Sequence, residues 1–329
     1  MTDTASVAAA GEPRRRLGSR PIIYGTAGLM LLVAAILAAA DFGEHAGRLG
    51  DWQAFTLGVT QGLTELLPIS SSGHLILVPW IADWRYLEHH EAFNKTFDVA
   101  LHLGTLVAVV AYFWGDVVRY VRAWFVSVRR RAVETPDERV AWYVFAATLP
   151  ATIAGAVGES AIEKHLGQPW QIAIFLALFG ILLWIADRSP QRRRIADLRF
   201  GTAFAVGVSQ ILALMPGVSR SGITITTGRF AMLDRDAAAR FSFLLLIPVV
   251  FGAVVYKGVK DVLLQSLPAG STGPFVVGTL AAAAVGLIAI DLLLGYVRRH
   301  DYTPFVIYRL VLAVAIVAVI ASGFRGATF

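Results

Sequence analysis

Seven stretches of about twenty residues dominate this chain, at 21–40, 97–118, 140–158, 169–186, 241–258, 273–297 and 304–322, and each is almost wholly apolar. A helix rises about 1.5 Å per residue, so each run matches the roughly 30 Å of a bilayer's hydrocarbon core. Within that core no water satisfies backbone N–H and C=O groups, which leaves the α-helix as the form such runs can take. The expected fold is an all-α polytopic membrane protein.

Composition narrows the function. The hydrophobic fraction is 56% and cysteine is absent, which excludes a disulfide framework, a thiolate zinc site and a cysteine nucleophile. A net charge of +6 would suit nucleic acid, but the arginines fall in short clusters between the apolar runs. That is the positive-inside pattern of a membrane protein. Arg119, Arg122, Arg129, Arg130 and Arg131 fill one connection. Arg188, Arg192, Arg193, Arg194 and Arg199 fill another two crossings later, and Arg298 and Arg299 mark a third. The loop around Glu159, Glu163 and Lys164 is not basic, so all three basic connections face the cytoplasm if the first helix starts there. That first run follows Arg14, Arg15, Arg16 and Arg20, a flank it shares with signal peptides. It is longer than the about 7–15 residues of a secretory apolar region, so a retained helix is expected. Residues 1–45 then form a basic segment with an extra transmembrane helix, and 46–329 a single membrane domain.

This assignment of sides closes only if two further segments, roughly 52–81 and 200–230, enter the membrane and leave by the face they entered. Gly, Pro and Ser interrupt both, so each suits two short helices better than one long one. The two are also copies. GVTQGLTELLPISSSG from Gly58 and GVSQILALMPGVSRSG from Gly207 align without a gap at an offset of 149 (207 − 58). Gly58, Val59, Gln61, Leu63, Ser70, Ser72 and Gly73 recur as Gly207, Val208, Gln210, Leu212, Ser219, Ser221 and Gly222. The same offset carries the spans at 97, 140 and 169 onto spans near 246, 289 and 318. Each half, about 50–190 and 200–325, then comprises one re-entrant helical hairpin plus three transmembrane helices. An odd number of crossings inserts the second half upside down. That is an inverted-topology repeat, in which broken helices meet near the midplane and build a site.

Such a site sets residues 70–74 against 219–224. Backbone N–H groups at a Ser/Gly turn that opens a helix bind anions, helped by the helix dipole and the hydroxyls. The copies differ at one telling place, where Ser71 corresponds to Arg220 (71 + 149). One turn offers a hydroxyl and the other a planar cation suited to phosphate. An arginine at membrane depth costs about 2.5–3.5 kcal/mol, so it calls for an anion, and Glu65 or a bound ligand can supply it. His74, three residues after Ser71, shares a helix face with it and suits proton transfer, or else is a buried histidine held by a carbonyl. Glu65, four residues after Gln61, could share a hard cation with that amide oxygen, or orient His74 in a relay. Asp98 and His102, at the start of a span, line the cavity or lie at the interface. Glu88, His89, His90 and Glu91 read as a solvated turn rather than metal ligands. Asp234, Arg235, Asp236 and Arg240 read as the solvated start of a helix with i,i+4 pairing.

QGLTELLPISSSGH at 61–74 resembles the [EQ]xxxE plus SS[ST]GH signature of the bacterial undecaprenyl-diphosphate phosphatases, the BacA-type bacitracin resistance proteins. PGVSRSGITIT at 216–226 resembles their PGxSRSxxT signature, and FDVALHLGTLVAVVAYFW at 97–114 and PFVIYRL at 304–310 agree as well. The likeness covers the chain from about residue 50 onward; the segment before it is one that many members lack. It implies a phosphoanhydride hydrolase of the bacterial cytoplasmic membrane that converts undecaprenyl diphosphate to the monophosphate, recycling the lipid carrier of cell-wall synthesis and conferring bacitracin resistance. It also implies Mg²⁺ or Ca²⁺ as cofactor, the diphosphate lipid and the bilayer as partners, and a homodimer as one expectation. Matched by position, Ser71, His74, Glu65 and Arg220 are expected to be catalytic. Ser70, Ser72, Gly73, Ser219, Ser221, Gly222 and Thr224 are expected to bind substrate, and Glu65 with Gln61 to bind the metal. In that scheme Ser71 attacks or positions water, His74 acts as acid and base, and Arg220 with the two turns holds the diphosphate.

Two rivals share parts of this pattern. SSGH at 71–74 also resembles the PSGH box of integral phosphatidic acid phosphatases, but their last box needs a histidine where Thr226 stands here. A prenyl-phosphate transporter or flippase shares the inverted-repeat plan.

Overall fold

The computed structural model describes residues 19–41, 48–84, 86–87, 90–257 and 271–328. Arg14, Arg15, Arg16, Glu88, His89, Gly258 and the boundary drawn at residue 45 lie outside the described residues, as do the side chains of Glu91, Glu159, Glu163 and Lys164. The helices are α1 (Ser19–Ala40), α2 (Asp51–Thr64), α3 (Ser71–Ala82), α4 (Glu91–Tyr112), α5 (Trp114–Arg130) and α6 (Pro136–His165). They continue with α7 (Pro169–Asp187), α8 (Phe200–Ser209), α9 (Arg220–Phe230), α10 (Arg235–Lys257), α11 (Thr272–Val297) and α12 (Thr303–Ala321). Seven of these, α1, α4, α6, α7, α10, α11 and α12, are long and apolar enough to cross a membrane.

Several boundaries differ from those read off the sequence: α4 opens at Glu91 rather than 97, and α6 covers Pro136–His165 rather than 140–158. The run expected at 97–118 stops at Tyr112, and Phe113 leaves helical geometry before α5 begins. Val117 and Val118 extended the apolar window but belong to α5, a helix with arginines on one side and aromatic residues on the other. The basic connection at 119–131 is therefore helical rather than a loop. Further on, α10 starts at Arg235 because the Asp234 carboxylate accepts from Ala237 N at 2.7 Å and caps it.

Each segment expected to fold as two short helices does so, α2 with α3 and α8 with α9, the latter pair joined through a 3-10 stretch at Gln210–Leu214. Small residues let these helices lie backbone against backbone, which is how helices associate where lipid removes the hydrophobic drive. A Cβ added at Gly58 of α2 would meet Gly278 O of α11 at 2.4 Å, and one at Gly207 of α8 would meet Ala147 O of α6 at 2.3 Å. The packing follows a pattern: α2 lies on α11 and α8 on α6, while α4 packs on α10 and α7 on α12. Leu77 and Trp80 of α3 pack with Ala313 and Ile316 of α12, and α9 packs on α7. Because a backbone oxygen cannot move aside, Gly58→Ala is expected to destabilise the protein by about 1–3 kcal/mol. Thermal unfolding in detergent measures this, with Gly115→Ala as the neutral comparison, since nothing lies within 4 Å of a Cβ there.

The extra helix α1 is anchored by packing and by charge. Ala27, Ala34 and Ala38 are buried, and the last two pack with Val277 and Ala281 of α11. Asp291, buried in α11, accepts from Tyr24 OH at 2.9 Å and Tyr112 OH at 3.1 Å, and pairs with Arg20 at 3.2 Å. A carboxylate inside the membrane domain is thus fully partnered, as the cost of burying it demands. A second buried acid corrects the reading of Arg235 as solvated. Arg235 donates to Asp187 at 2.7 and 3.0 Å, Arg229 donates to the same carboxylate at 3.2 Å, and Tyr302 N donates to it at 3.0 Å. Only Arg240 and Asp236, at 2.6 Å, form the expected i,i+4 pair.

Candidate active site

The turns before α3 and α9 share an unusual backbone. Ser70 has φ 78° and Ser219 has φ 75°, values that a residue with a Cβ adopts at a cost. What holds them there is capping: Ser70 Oγ accepts from Gly73 N at 3.4 Å, and Ser219 Oγ from Gly222 N at 3.0 Å. The first N–H groups of both helices are left without intrahelical partners.

The turns touch directly. Gly217 N donates to Ser70 Oγ at 3.1 Å, and Ser221 Oγ donates to Leu67 O at 2.9 Å. Between them Glu65, buried at the end of α2, collects three donors. Ser71 Oγ lies 2.5 Å from its Oε2, Gln61 Nε2 lies 3.2 Å from the same oxygen, and Arg220 Nη2 lies 2.9 Å from Oε1. Arg220 also donates to Ser242 O at 2.8 Å. So Glu65, Ser71, Gln61 and Arg220 form one cluster, with Ser71, Ser72 and Arg220 keeping partial exposure. Ser70, Ser219 and Ser221 are buried and spend their hydroxyls on the turns. Thr224 sits behind Arg220, its hydroxyl 2.7 Å from Arg220 O and 2.7 Å from Ser242 Oγ. Gly73 and Gly222 hold close approaches, with a Cβ on Gly222 falling 2.9 Å from Arg309 Nη1.

His74 is placed otherwise than the i,i+3 spacing from Ser71 suggests. Its Nδ1 lies 2.7 Å from Ser70 O, and since a carbonyl only accepts, Nδ1 carries the hydrogen. Nε2 of the neutral ring then accepts from Tyr308 OH at 2.7 Å. Both nitrogens are engaged, and neither bonds Ser71 or Glu65. His102 does reach the cluster, with Nε2 3.6 Å from Glu65 Oε2 and Nδ1 donating to Asp98 O at 2.7 Å. His90, by contrast, stacks on Tyr86 at 4.1 Å, away from the site.

Two residues carry the site without having been assigned a role from the sequence. Arg309, fully buried in α12, donates to five carbonyls: Leu176 at 3.0 Å, Pro68 at 3.1 Å, Phe175 at 3.3 Å, Gly217 at 3.0 Å and Val218 at 3.1 Å. It grips both turns at once. Tyr308, its neighbour, fixes the His74 ring. The signal for both was PFVIYRL itself, where an arginine stands inside an otherwise apolar span. Gln61 Oε1 is buried with no partner, and so are both amide atoms of Gln210, its counterpart at the offset of 149. Among the described residues no group of three or more His, Cys, Asp or Glu side chains could hold a metal ion.

Taken together, the cluster presents a hydroxyl beside a carboxylate and a guanidinium at two converging helix N-termini, an arrangement suited to phosphoryl transfer. Comparison with known proteins agrees in kind. The family described as bacitracin resistance protein BacA matches residues 54–315. An undecaprenyl-diphosphatase of Desulforudis audaxviator is 44% identical over 82% of this chain and 97% of its own length. Those of Pelobacter propionicus, at 43% over 83% and 98%, and Moorella thermoacetica, at 45% over 81% and 97%, are similar to the same extent.

Proposed function

This chain belongs to the bacitracin resistance protein family BacA, and from that membership we infer an integral membrane phosphatase that hydrolyses undecaprenyl diphosphate to undecaprenyl phosphate and inorganic phosphate. The observation that carries the mechanism is the meeting of Ser71, Glu65 and Arg220 at the mouth of two helix N-termini. The terminal phosphate lies across the free N–H groups of α3 and α9, with the Ser72 hydroxyl and Arg220 beside it. Ser71 Oγ attacks the terminal phosphorus and passes its proton to Glu65, the O–P bond forming as the bond to the undecaprenyl phosphate oxygen breaks. Water then takes phosphate from the serine and restores its hydroxyl. His74 holds the Ser70 carbonyl and, through Tyr308, ties α3 to α12.

Glu65 and Gln61 are the residues that would hold a hard divalent cation, but as arranged Gln61 turns its Nε2 to Glu65 and Arg220 takes the other carboxylate oxygen, so the pair presents no shared oxygen site.

Architecture supports the reading. The offset of 149 carries α2 onto α8 and α4 onto α10; beyond the inserted α5 the helices correspond by chain order, α6 with α11 and α7 with α12, so the pairs α2 with α11 and α8 with α6 exchange under a two-fold operation. Helix α9 packs on α7, and the corresponding contact of α3 with α12 is made by the side chains of Leu77 and Trp80 with Ala313 and Ile316. We read the fold as an inverted repeat with two re-entrant hairpins, placed in the cytoplasmic membrane. The test is release of inorganic phosphate from undecaprenyl diphosphate by purified protein in detergent, where no second compartment exists. Arg220→Ala is expected to lower that release about a hundredfold or more. Absence of release by the wild type would sink the assignment and favour transport.

A further inference from the structure

The four arginines of α5 are divided into two kinds. Arg119, paired with Asp116 at 2.7 Å, also lies 3.7 Å from Asp137, and Arg130 pairs with Glu138 at 2.5 Å, so both point toward the start of α6. Arg122 and Arg129 are exposed and have no acidic partner among the described residues. Seven residues apart, they stand two helical turns from one another on one stripe. That stripe adjoins Val121 and Phe125, which form the lip of an apolar cavity of about 380 Å³. Ala141 and Phe145 of α6 and Leu244 and Pro248 of α10 make its other walls.

Arg240 of α10 lies 3.9 Å from Asp116, which places the start of α5 beside the polar start of α10. A basic amphipathic helix of this kind suits a position along a membrane surface with its apolar side inward. A hydrocarbon-lined slot beneath two uncompensated cations is complementary to one ligand chemistry: an acyl chain below and an anionic phosphate above.

We propose that α5, α6 and α10 form a binding site for an anionic phospholipid, with one acyl chain in the cavity and the phosphodiester on Arg122 and Arg129. The site is separate from the Ser71 cluster and does not depend on the activity inferred for it.

Native mass spectrometry of the full-length protein in detergent, titrated with dioleoylphosphatidylglycerol or dioleoylphosphatidylcholine, tests this. The wild type is expected to retain one phosphatidylglycerol at least about tenfold more readily than phosphatidylcholine, each arginine near the surface adding to the attraction. The double variant R122Q/R129Q is expected to hold the two lipids alike, with phosphate release unchanged, whereas R119Q/R130Q keeps the preference. Ala141→Trp fills the slot and is expected to reduce retention of both lipids. If that variant does not assemble, the arginine variants decide alone. Equal retention of the two lipids by the wild type overturns the proposal, as does phosphatidylglycerol held undiminished by R122Q/R129Q. Displacement of phosphatidylglycerol by undecaprenyl phosphate would assign the slot to the substrate's tail and overturn it too.

Discussion

Ser71→Ala is expected to reduce phosphate release from undecaprenyl diphosphate by about ten-thousandfold while the protein still folds and retains the lipid. The expectation rests on how the serines are used. Ser71 is partly exposed, and its hydroxyl has a carboxylate partner at 2.5 Å to receive its proton. Ser70 is buried and caps α3 with its oxygen, also taking Gly217 N at 3.1 Å. Ser70→Ala therefore acts on stability, by about 1 kcal/mol for the lost cap, and through the shape of the turn. Glu65→Gln is expected to match Ser71→Ala in rate, because the amide keeps the size but accepts no proton and leaves Arg220 with no counter-charge. Single-turnover phosphate release by the three variants at saturating lipid separates these roles. Turnover by Ser71→Ala within about threefold of wild type removes the serine from the mechanism.

Arg309→Met is expected to prevent accumulation of folded protein. The substitution nearly conserves volume yet removes the donor from five buried carbonyls, of which Pro68, Gly217 and Val218 lie in the turns outside any helix. Each buried group left unsatisfied costs about 1–3 kcal/mol, and a domain's whole stability is about 5–15 kcal/mol. Arg309→Lys keeps the charge but has three donors on a point cation rather than a planar fork, so it is expected to fold with a lowered melting temperature. Both turns should loosen in it, which lowers the rate of phosphate release more than it weakens lipid retention. Yield of monodisperse protein on size exclusion, with thermal unfolding of each variant, gives the result. A methionine variant that melts with the wild type would mean that water or another group satisfies those carbonyls.

Helix α1 shows how far reading from sequence carries. A basic flank followed by about twenty apolar residues was enough to expect a spanning helix. Nothing local indicated its partner, because Asp291 lies 267 residues from Tyr24 and inside another span. Likewise, apolarity alone lengthened α4 to residue 118, since a window of hydropathy does not see the turn at Phe113.

What the order of residues settled by itself is whatever follows from neighbours in the chain. The runs are long enough to cross lipid, the Ser/Gly turns open helices, and a copied motif marks two turns and a missing hydroxyl replaced by Arg220. These are local properties, governed by backbone hydrogen bonding and solvation over a few helical turns. Which side chains meet was decided only when distant helices packed. Glu65 and Arg220 are 155 residues apart, His74 and Tyr308 are 234 apart, and Arg309 reaches Pro68 across 241. Helical periodicity put His74 on the face of Ser71, but a buried nitrogen bonds whatever the folded chain brings to it, and here that was a tyrosine from the far end.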